Sequence, residues 1–302
     1  MTRNVRFSFL VLTILTIGLL APSPWFAGAK PPLPEPVTTV DRGRATFTVA
    51  SINTAKVTEV EVMAKEVEEH AVLRGSDVIF LQEVVISGEN QLSSGELLAR
   101  RLHRQPALAA GETGKTFTGL AILSRFPLRD IRVRQLKNVN LIFRSRKRIA
   151  LCATIETPYG PVRVINTHLD TRINPKERLE QLGPALEEAA AFNGPVIIGG
   201  DLNTNDMQWV SHVVPVPYPG WQAAAVRKLM LEKGFMTPFE LRRATFDHLR
   251  MQLDWLFSNR LRALRSAIQP LDFSDHHAIW AEFDMAQAAT IPANSSSSSK
   301  NQ

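Results

Sequence analysis

Ile149-Ala150-Leu151-Cys152-Ala153-Thr154-Ile155, a turn at Tyr159-Gly160-Pro161, and Val162-Arg163-Val164-Ile165-Asn166 form the stretch on which the fold turns. Two apolar runs of strand length flank a Tyr-Gly-Pro turn, which predicts an antiparallel hairpin. Cys152 lies inside the first run and reads as a small buried apolar residue. It is the sole cysteine, so an intramolecular disulfide and a structural zinc site built from several cysteines are excluded.

Outward from the hairpin, strand and helix patterns interleave. Upstream, Ala45–Ile52 alternates with β-branched residues, and Val57–Leu73 sets Val57, Val60, Met63, Ala64, Val67 and Ala71 on a helical stripe. Asp77–Leu81 and Leu120–Leu123 read as strands, with a helical pattern at Leu97–Leu102 between them. Downstream, Pro175–Phe192 is an amphipathic helix, and Pro195–Ile198, Leu253–Phe257 and His277–Phe283 are further strands. Hairpins mixed with helices predict an α/β (α+β) architecture in layers, with mixed or antiparallel sheets rather than purely parallel ones.

The ends of the chain differ from this middle. Arg3 and Arg6 precede the uncharged apolar run Phe7–Ala21, then Pro22, Pro24 and Ala27-Gly28-Ala29. That order predicts a signal peptide or an uncleaved signal anchor over residues 1–29, and an exported protein, periplasmic, extracellular or anchored facing outside the cytosol. Residues 30–40 read as a proline-rich linker, 41–286 as the folded domain and 287–302 as a disordered tail containing Ser295–Lys300. The chain of 302 residues is long enough for one large core. Its formal charge is +6, and from Lys30 onward 33 basic residues face 29 acidic ones. This mild excess is compatible with an anionic substrate and does not by itself require one.

Chemistry-bearing residues recur where apolar strands end. Asn53 closes the first strand and Gln82-Glu83 the second; Asn166-Thr167-His168-Leu169-Asp170 and Gly200-Asp201-Leu202-Asn203 close later ones. Leu253-Asp254 opens a strand, and Ser274-Asp275-His276 precedes the last. Singly, most have ordinary explanations: Asn53 as a turn, Asp201-Leu202-Asn203 as a loop, His168 as a core histidine, Asp254 as a cap. Six such ends in one domain predict a rigid site at one sheet edge. Glu83, Asp275 and the carbonyl of Asn53 offer the oxygen ligands that a hard cation prefers. Asp254 beside His276 would hold the imidazole in one tautomer and favour its cation. Asp201 and Asn203 suit orientation of an attacking water and a phosphate oxygen. His168, protonated, suits developing phosphate charge.

In this order, the residues resemble the endonuclease/exonuclease/phosphatase superfamily, which includes pancreatic deoxyribonuclease, abasic-site endonucleases, neutral sphingomyelinases and inositol polyphosphate 5-phosphatases. Gly119–Pro127 also resembles a family segment, and the likeness runs from Thr46 to Phe283. The resemblance implies a four-layered α/β-β/α sandwich, two packed sheets flanked by helices. It implies a phosphoester hydrolase using Mg²⁺ or Mn²⁺, with in-line attack by water on phosphorus. It places Asn53, Glu83 and Asp275 at the metal, and His168, Asp201, Asn203, Asp254 and His276 in catalysis. The general base is His276 or Asp201 within the family, with His276 preferred. Abasic-site endonucleases carry an acid two residues after the first Asn, where this chain has Ala55, which argues against that branch.

The substrate is less legible. Phe143-Arg144-Ser145-Arg146-Lys147-Arg148 suits a nucleic-acid backbone or anionic lipid headgroups, and equally a solvated loop. Arg172 and Arg178 suit phosphate contact or a helix surface. Trp209 and the loop Val213–Trp221 suit a lid, a lipid-touching edge or a packed loop. A nucleic-acid phosphodiester is the favoured substrate, a phospholipid or sphingomyelin headgroup the second, a small phosphomonoester the third. The protein is expected to act as a monomer, with the N-terminal segment as a possible membrane tether. The complete set of site residues argues against a non-catalytic binding module.

Overall fold

The computed structural model describes residues 45–87, 92–111, 116–139 and 147–286. The expected signal segment, linker and tail, and Phe143–Arg146 of the basic run, lie outside the described residues. Among those described, no helix is long and apolar enough to cross a membrane.

In chain order the elements are β1 (Thr46–Asn53), α1 (Val60–Glu69), α2 (Ala71–Gly75), β2 (Val78–Ser87), α3 (Ser94–Arg101), β3 (Gln105–Ala109) and β4 (Thr116–Ser124). Then come β5 (Leu128–Gln135), β6 (Ile149–Thr157), β7 (Gly160–His168), α4 (Pro175–Ala190), β8 (Val196–Asp201), β9 (Met207–Val210) and β10 (Val214–Pro217). The chain closes with α5 (Trp221–Glu232), β11 (Asp254–Asn259), β12 (Arg262–Gln269) and β13 (Ala278–Asp284).

Two large sheets result, ordered β12-β13-β1-β2-β4-β3 and β11-β8-β7-β6-β5. The expected hairpin is present: β6 and β7 pair antiparallel with Thr157 opposite Gly160, whose φ of +113° suits glycine. Each sheet also holds one parallel pair, β1 with β2 and β7 with β8. A parallel pair needs a crossover, supplied by α1 and α2 in one case and α4 in the other. The sheets are therefore mixed.

Side chains alternate across each strand and so divide the core. Phe47, Val49, Val78, Phe80, Leu120 and Ile122 pack with Leu151, Val164 and Ile197 between the sheets. Ala50, Ile52, Ile79, Leu81 and Leu123 face the other way, against Met63, Ala64 and Val67 of α1 and Leu98 of α3. Leu182 and Ala185 of α4 and Val226 and Met230 of α5 cover the second sheet. The four layers are helix, sheet, sheet, helix. Cys152 is wholly buried in β6, and burial pushes its thiol up to about 12.

Two readings of local structure are corrected. The single helical stripe Val57–Leu73 is two helices, because His70 takes an extended conformation (φ −91°, ψ 103°). Strand β2 does not end at Glu83. It continues to Ser87 through a bulge, where Gln82 and Glu83 lie between Leu81, opposite Ala121, and Val84, opposite Gly119.

Candidate active site

The two parallel pairs end at one edge of the sandwich, and their antiparallel neighbours begin there. His168, Asp201 and Asp254 form a row across three adjacent strands: Asp201 is opposite His168 on one side and Asp254 on the other. Gly199-Gly200 lets this row close up. A Cβ on Gly200 would lie 2.0 Å from the Thr167 carbonyl oxygen, and one on Gly199 2.5 Å from that of Trp255. Gly200 also has φ +121°, a backbone region costly for residues with a side chain.

The other sheet presents its residues from across the gap. Asn53 Nδ2 donates to Asp201 Oδ2 at 3.0 Å. The same oxygen lies 3.3 Å from His168 Nε2, 3.4 Å from Asn203 Nδ2 and 4.0 Å from His276 Nε2. Asp201 Oδ1 accepts from the Asn203 backbone N–H at 2.8 Å, which helps hold Asn203 at φ +50°. His276 Nδ1 lies 2.9 Å from Asp254 Oδ2, which also accepts from Thr245 Oγ1 at 2.7 Å. Asn53, Glu83, His168, Asp201, Asn203, Asp275 and His276 line one cleft of about 280 Å³, with Asp254 buried behind His276. All eight expected residues thus come together. His277 pairs with Asp247 at 3.1 Å and does not line the cleft.

Proton affinities separate the two central groups. Burial pushes the Asp201 carboxyl up to about 7; the Asp254 charge adds to this, while His276 and the Asn203 N–H oppose it. Burial also works against a charged His276. The Asp254 charge and hydrogen bond, with Asp201 and Asp275, outweigh it and push His276 up to about 10. At neutral pH the imidazole therefore keeps its proton, and Asp201 is the group poised to exchange one.

Two donor sets are able to hold a divalent cation. Ligating atoms of buried Asp201, Asp254 and His276 lie within 4.8 Å of one another. Of that trio, His276 and Asp254 are already hydrogen-bonded to each other, and Asp201 accepts from Asn53 and Asn203. Glu83, Asp275 and the Asn53 side-chain oxygen offer oxygens on the cleft wall, the chemistry a hard cation prefers. Asn53 Oδ1 also accepts from Ala55 N at 3.0 Å. Its backbone carbonyl is taken by Ser274 Oγ at 2.7 Å. Glu83 holds φ +57° at its bulge and meets Lys56 Nζ at 3.1 Å. A bulge is a means of re-aiming a side chain.

Several contributors escaped the sequence reading. Gln82 Nε2 donates to Asn166 Oδ1 at 2.7 Å, and Asn166 Nδ2 donates to the carbonyls of Leu81 and Ala121 at 2.9 Å each. This buried amide clasp ties the two sheets beneath the site. Lys56 and Thr245 carried no signal beyond their proximity to Asn53 and Asp254. Arg178 requires correction, since it neither reaches the cleft nor lies on a helix surface. It is fully buried, donating to the carbonyls of Asp170, Leu202 and Ile173 and to Gln222 Oε1. It fastens the loop after His168 to the loop after Asp201.

Comparison with known proteins agrees with this geometry. The model of the endonuclease/exonuclease/phosphatase family matches residues 53–276. An endonuclease/exonuclease/phosphatase from Beutenbergia cavernae is similar in structure, at TM-score 0.63 and 20% identity, covering 80% of this chain and 72% of that one. The human nocturnin catalytic domain with bound sulfate gives 0.58 at 17% identity, over 80% and 95% of the two chains. ANGEL2, a 2',3'-cyclic phosphatase in complex with adenosine-2',3'-vanadate, gives 0.56 at 16%, over 80% and 96%. At these identities the likeness concerns the fold. No curated protein matches the chain in sequence.

Proposed function

Since the chain belongs to the endonuclease/exonuclease/phosphatase family, and so is a hydrolase of phosphate esters, we propose that it is a Mg²⁺-dependent phosphodiesterase acting on nucleic acid. One observation carries the reading: side chains from both sheets converge on Asp201 at the wall of a single cleft. Glu83, Asp275 and Asn53 would hold the cation, which when bound supplies charge screening and polarisation at the phosphate. Asp201 takes the proton of the attacking water, because its carboxyl is the central group that can be unprotonated near pH 7. We assign the base to Asp201 in preference to His276. His276, kept cationic by Asp254, and His168 stabilise phosphate charge, and Asn203 orients the attacked group. Water then approaches phosphorus in line with the leaving oxygen.

Nucleic acid is favoured by the adenosine derivative in the ANGEL2 complex and by the mild basic excess of the chain. A phospholipid headgroup is the second reading, favoured by exposed apolar side chains beside the cleft. The protein acts outside the cytosol as a monomer, delivered or tethered by residues 1–29. The test offers the purified protein DNA, RNA, a phosphorylated headgroup lipid and an inositol phosphate, with Mg²⁺ or with EDTA. Mg²⁺-dependent turnover of a nucleic acid, lost in Asp201→Asn, is expected. Turnover of lipid alone replaces the substrate, and turnover that survives in EDTA refutes the metal.

A further inference from the structure

From Met207 to Trp221 the chain contains no Asp, Glu, Lys or Arg. This stretch builds the β9–β10 hairpin, with Val214 opposite Val210 and Pro215 opposite Trp209. Alternation puts Met207, Trp209, Pro215 and Pro217 on one face of the ribbon and Gln208, Val210, Val214 and Val216 on the other. The first face is fastened to the domain. Trp209 Nε1 donates to Asn205 Oδ1 at 3.1 Å, and the Trp209 backbone exchanges hydrogen bonds with the Asn174 amide at 2.8 and 2.9 Å. The second face is open: Val210 is 49% exposed, Val214 54%, Val216 41% and the following Tyr218 51%.

The root of the ribbon borders the cleft. Asn205, which anchors Trp209, lines it. Cations fringe the root of the ribbon: Arg172 lies 5.7 Å from the Trp209 ring centre, and the Arg242 guanidinium sits beside Gly220. On the neighbouring rim, Phe246 and Met251 line the cleft, and Leu249 between them is 71% exposed, next to exposed Arg250. An apolar face with arginines at the root of its ribbon matches the layering of an anionic bilayer, acyl chains under charged headgroups. A nucleic-acid backbone would want cations along the ribbon itself, and there are none. A stable protein interface wants about 800 Å² per partner, more than four side chains supply.

We propose that the outer face of the β9–β10 hairpin docks the protein on an anionic lipid surface and sets the cleft against it. The docking requires no particular substrate, so it is tested apart from turnover. Cys152 is buried, so Val214→Cys in the full chain can be labelled selectively with a polarity-sensitive dye. Vesicles of phosphatidylglycerol in phosphatidylcholine should shift the emission to the blue and shield the dye from iodide, more than phosphatidylcholine alone. The same dye on Lys65→Cys, on α1, should not respond. Val210→Asp with Val216→Asp should weaken vesicle binding read at Val214→Cys by about tenfold or more, while turnover of a soluble aryl phosphodiester stays unchanged. An unshifted dye at Val214→Cys overturns the docking. So does a shift without vesicles that tracks dimer formation, which would assign the face to a second copy. Loss of the aryl phosphodiesterase activity in the unmodified protein would instead overturn the proposed function and leave the docking result standing.

Discussion

The two sheets contribute unlike chemistry to one cleft. The five-stranded sheet brings His168, Asp201 and Asp254, all buried and aligned in one row. Here desolvation and the Asp254 charge push the Asp201 carboxyl up to about 7. The six-stranded sheet brings Asn53 and Glu83, with Asp275 just before β13. Glu83 and Asp275 are less buried, and Glu83 is aimed by a bulge and paired with an exposed lysine. Such oxygens can exchange water or an ammonium for a hard cation at modest cost. His276 starts from the six-stranded side and crosses to Asp254, joining the two halves. Under the proposed function the contrast is a division of labour: one sheet would manage protons, the other the cation.

Substitutions on the two sides should therefore fail differently. Asp201→Asn should lower kcat by ~10²–10⁴-fold, with the melting temperature held or raised because a buried carboxylate is removed. Steady-state kinetics and calorimetry check this, and a kcat within a few-fold of the parent breaks the division. Glu83→Gln should move the Mg²⁺ midpoint by about 10- to 100-fold, read by calorimetric titration, with much of kcat recovered at saturating metal. A loss of kcat that metal cannot restore would put Glu83 on the proton side.

Stability should report the proton side alone. The His276 pKa lies near 10 in the folded protein against ~6.5 for an unfolded histidine. The folded form holds that proton throughout the interval. Its stabilisation is full below the unfolded pKa and is lost as pH rises through the folded one. Asp201, raised to about 7, likewise makes stability fall between the unfolded carboxylate range and neutrality. Metal-free protein should thus melt at lower temperature as pH goes from 7 to 10, and His276→Gln should flatten that slope. The smallest effect is expected at Lys56. Removing this exposed cation in Lys56→Met should tighten Mg²⁺ binding only a few-fold, as surface ion pairs are weak. Weaker Mg²⁺ binding would make Lys56 an organiser of the site rather than a competitor for Glu83.

Much of the proton side was legible in sequence because strand ends expose period and chemistry together. Val196-Ile197-Ile198 followed by Gly-Gly-Asp reads as a strand brought close to its neighbours, and Gly199 and Gly200 prove to have no room for a Cβ. The cation side was harder. Glu83 seemed to close a strand, since a bulge leaves no mark in the alternation of one strand read alone. Strands β5 and β12 were missed because edge strands carry charges that blunt pairing, here Arg129, Arg132, Arg134, Arg262 and Arg265. The Gln82–Asn166 clasp and the burial of Arg178 depend on partners far away in sequence, 84 residues for the clasp. Periodicity has no access to such contacts.

Under the proposed function both sheets serve one reaction. A double-mutant cycle on Glu83→Gln and Asp201→Asn, read as kcat/KM for Mg²⁺-dependent phosphodiester cleavage, tests it most directly. Groups acting as a unit are strongly non-additive, so the double variant should be about as impaired as the worse single one. Losses that simply multiply would show two independent sites and contradict the account.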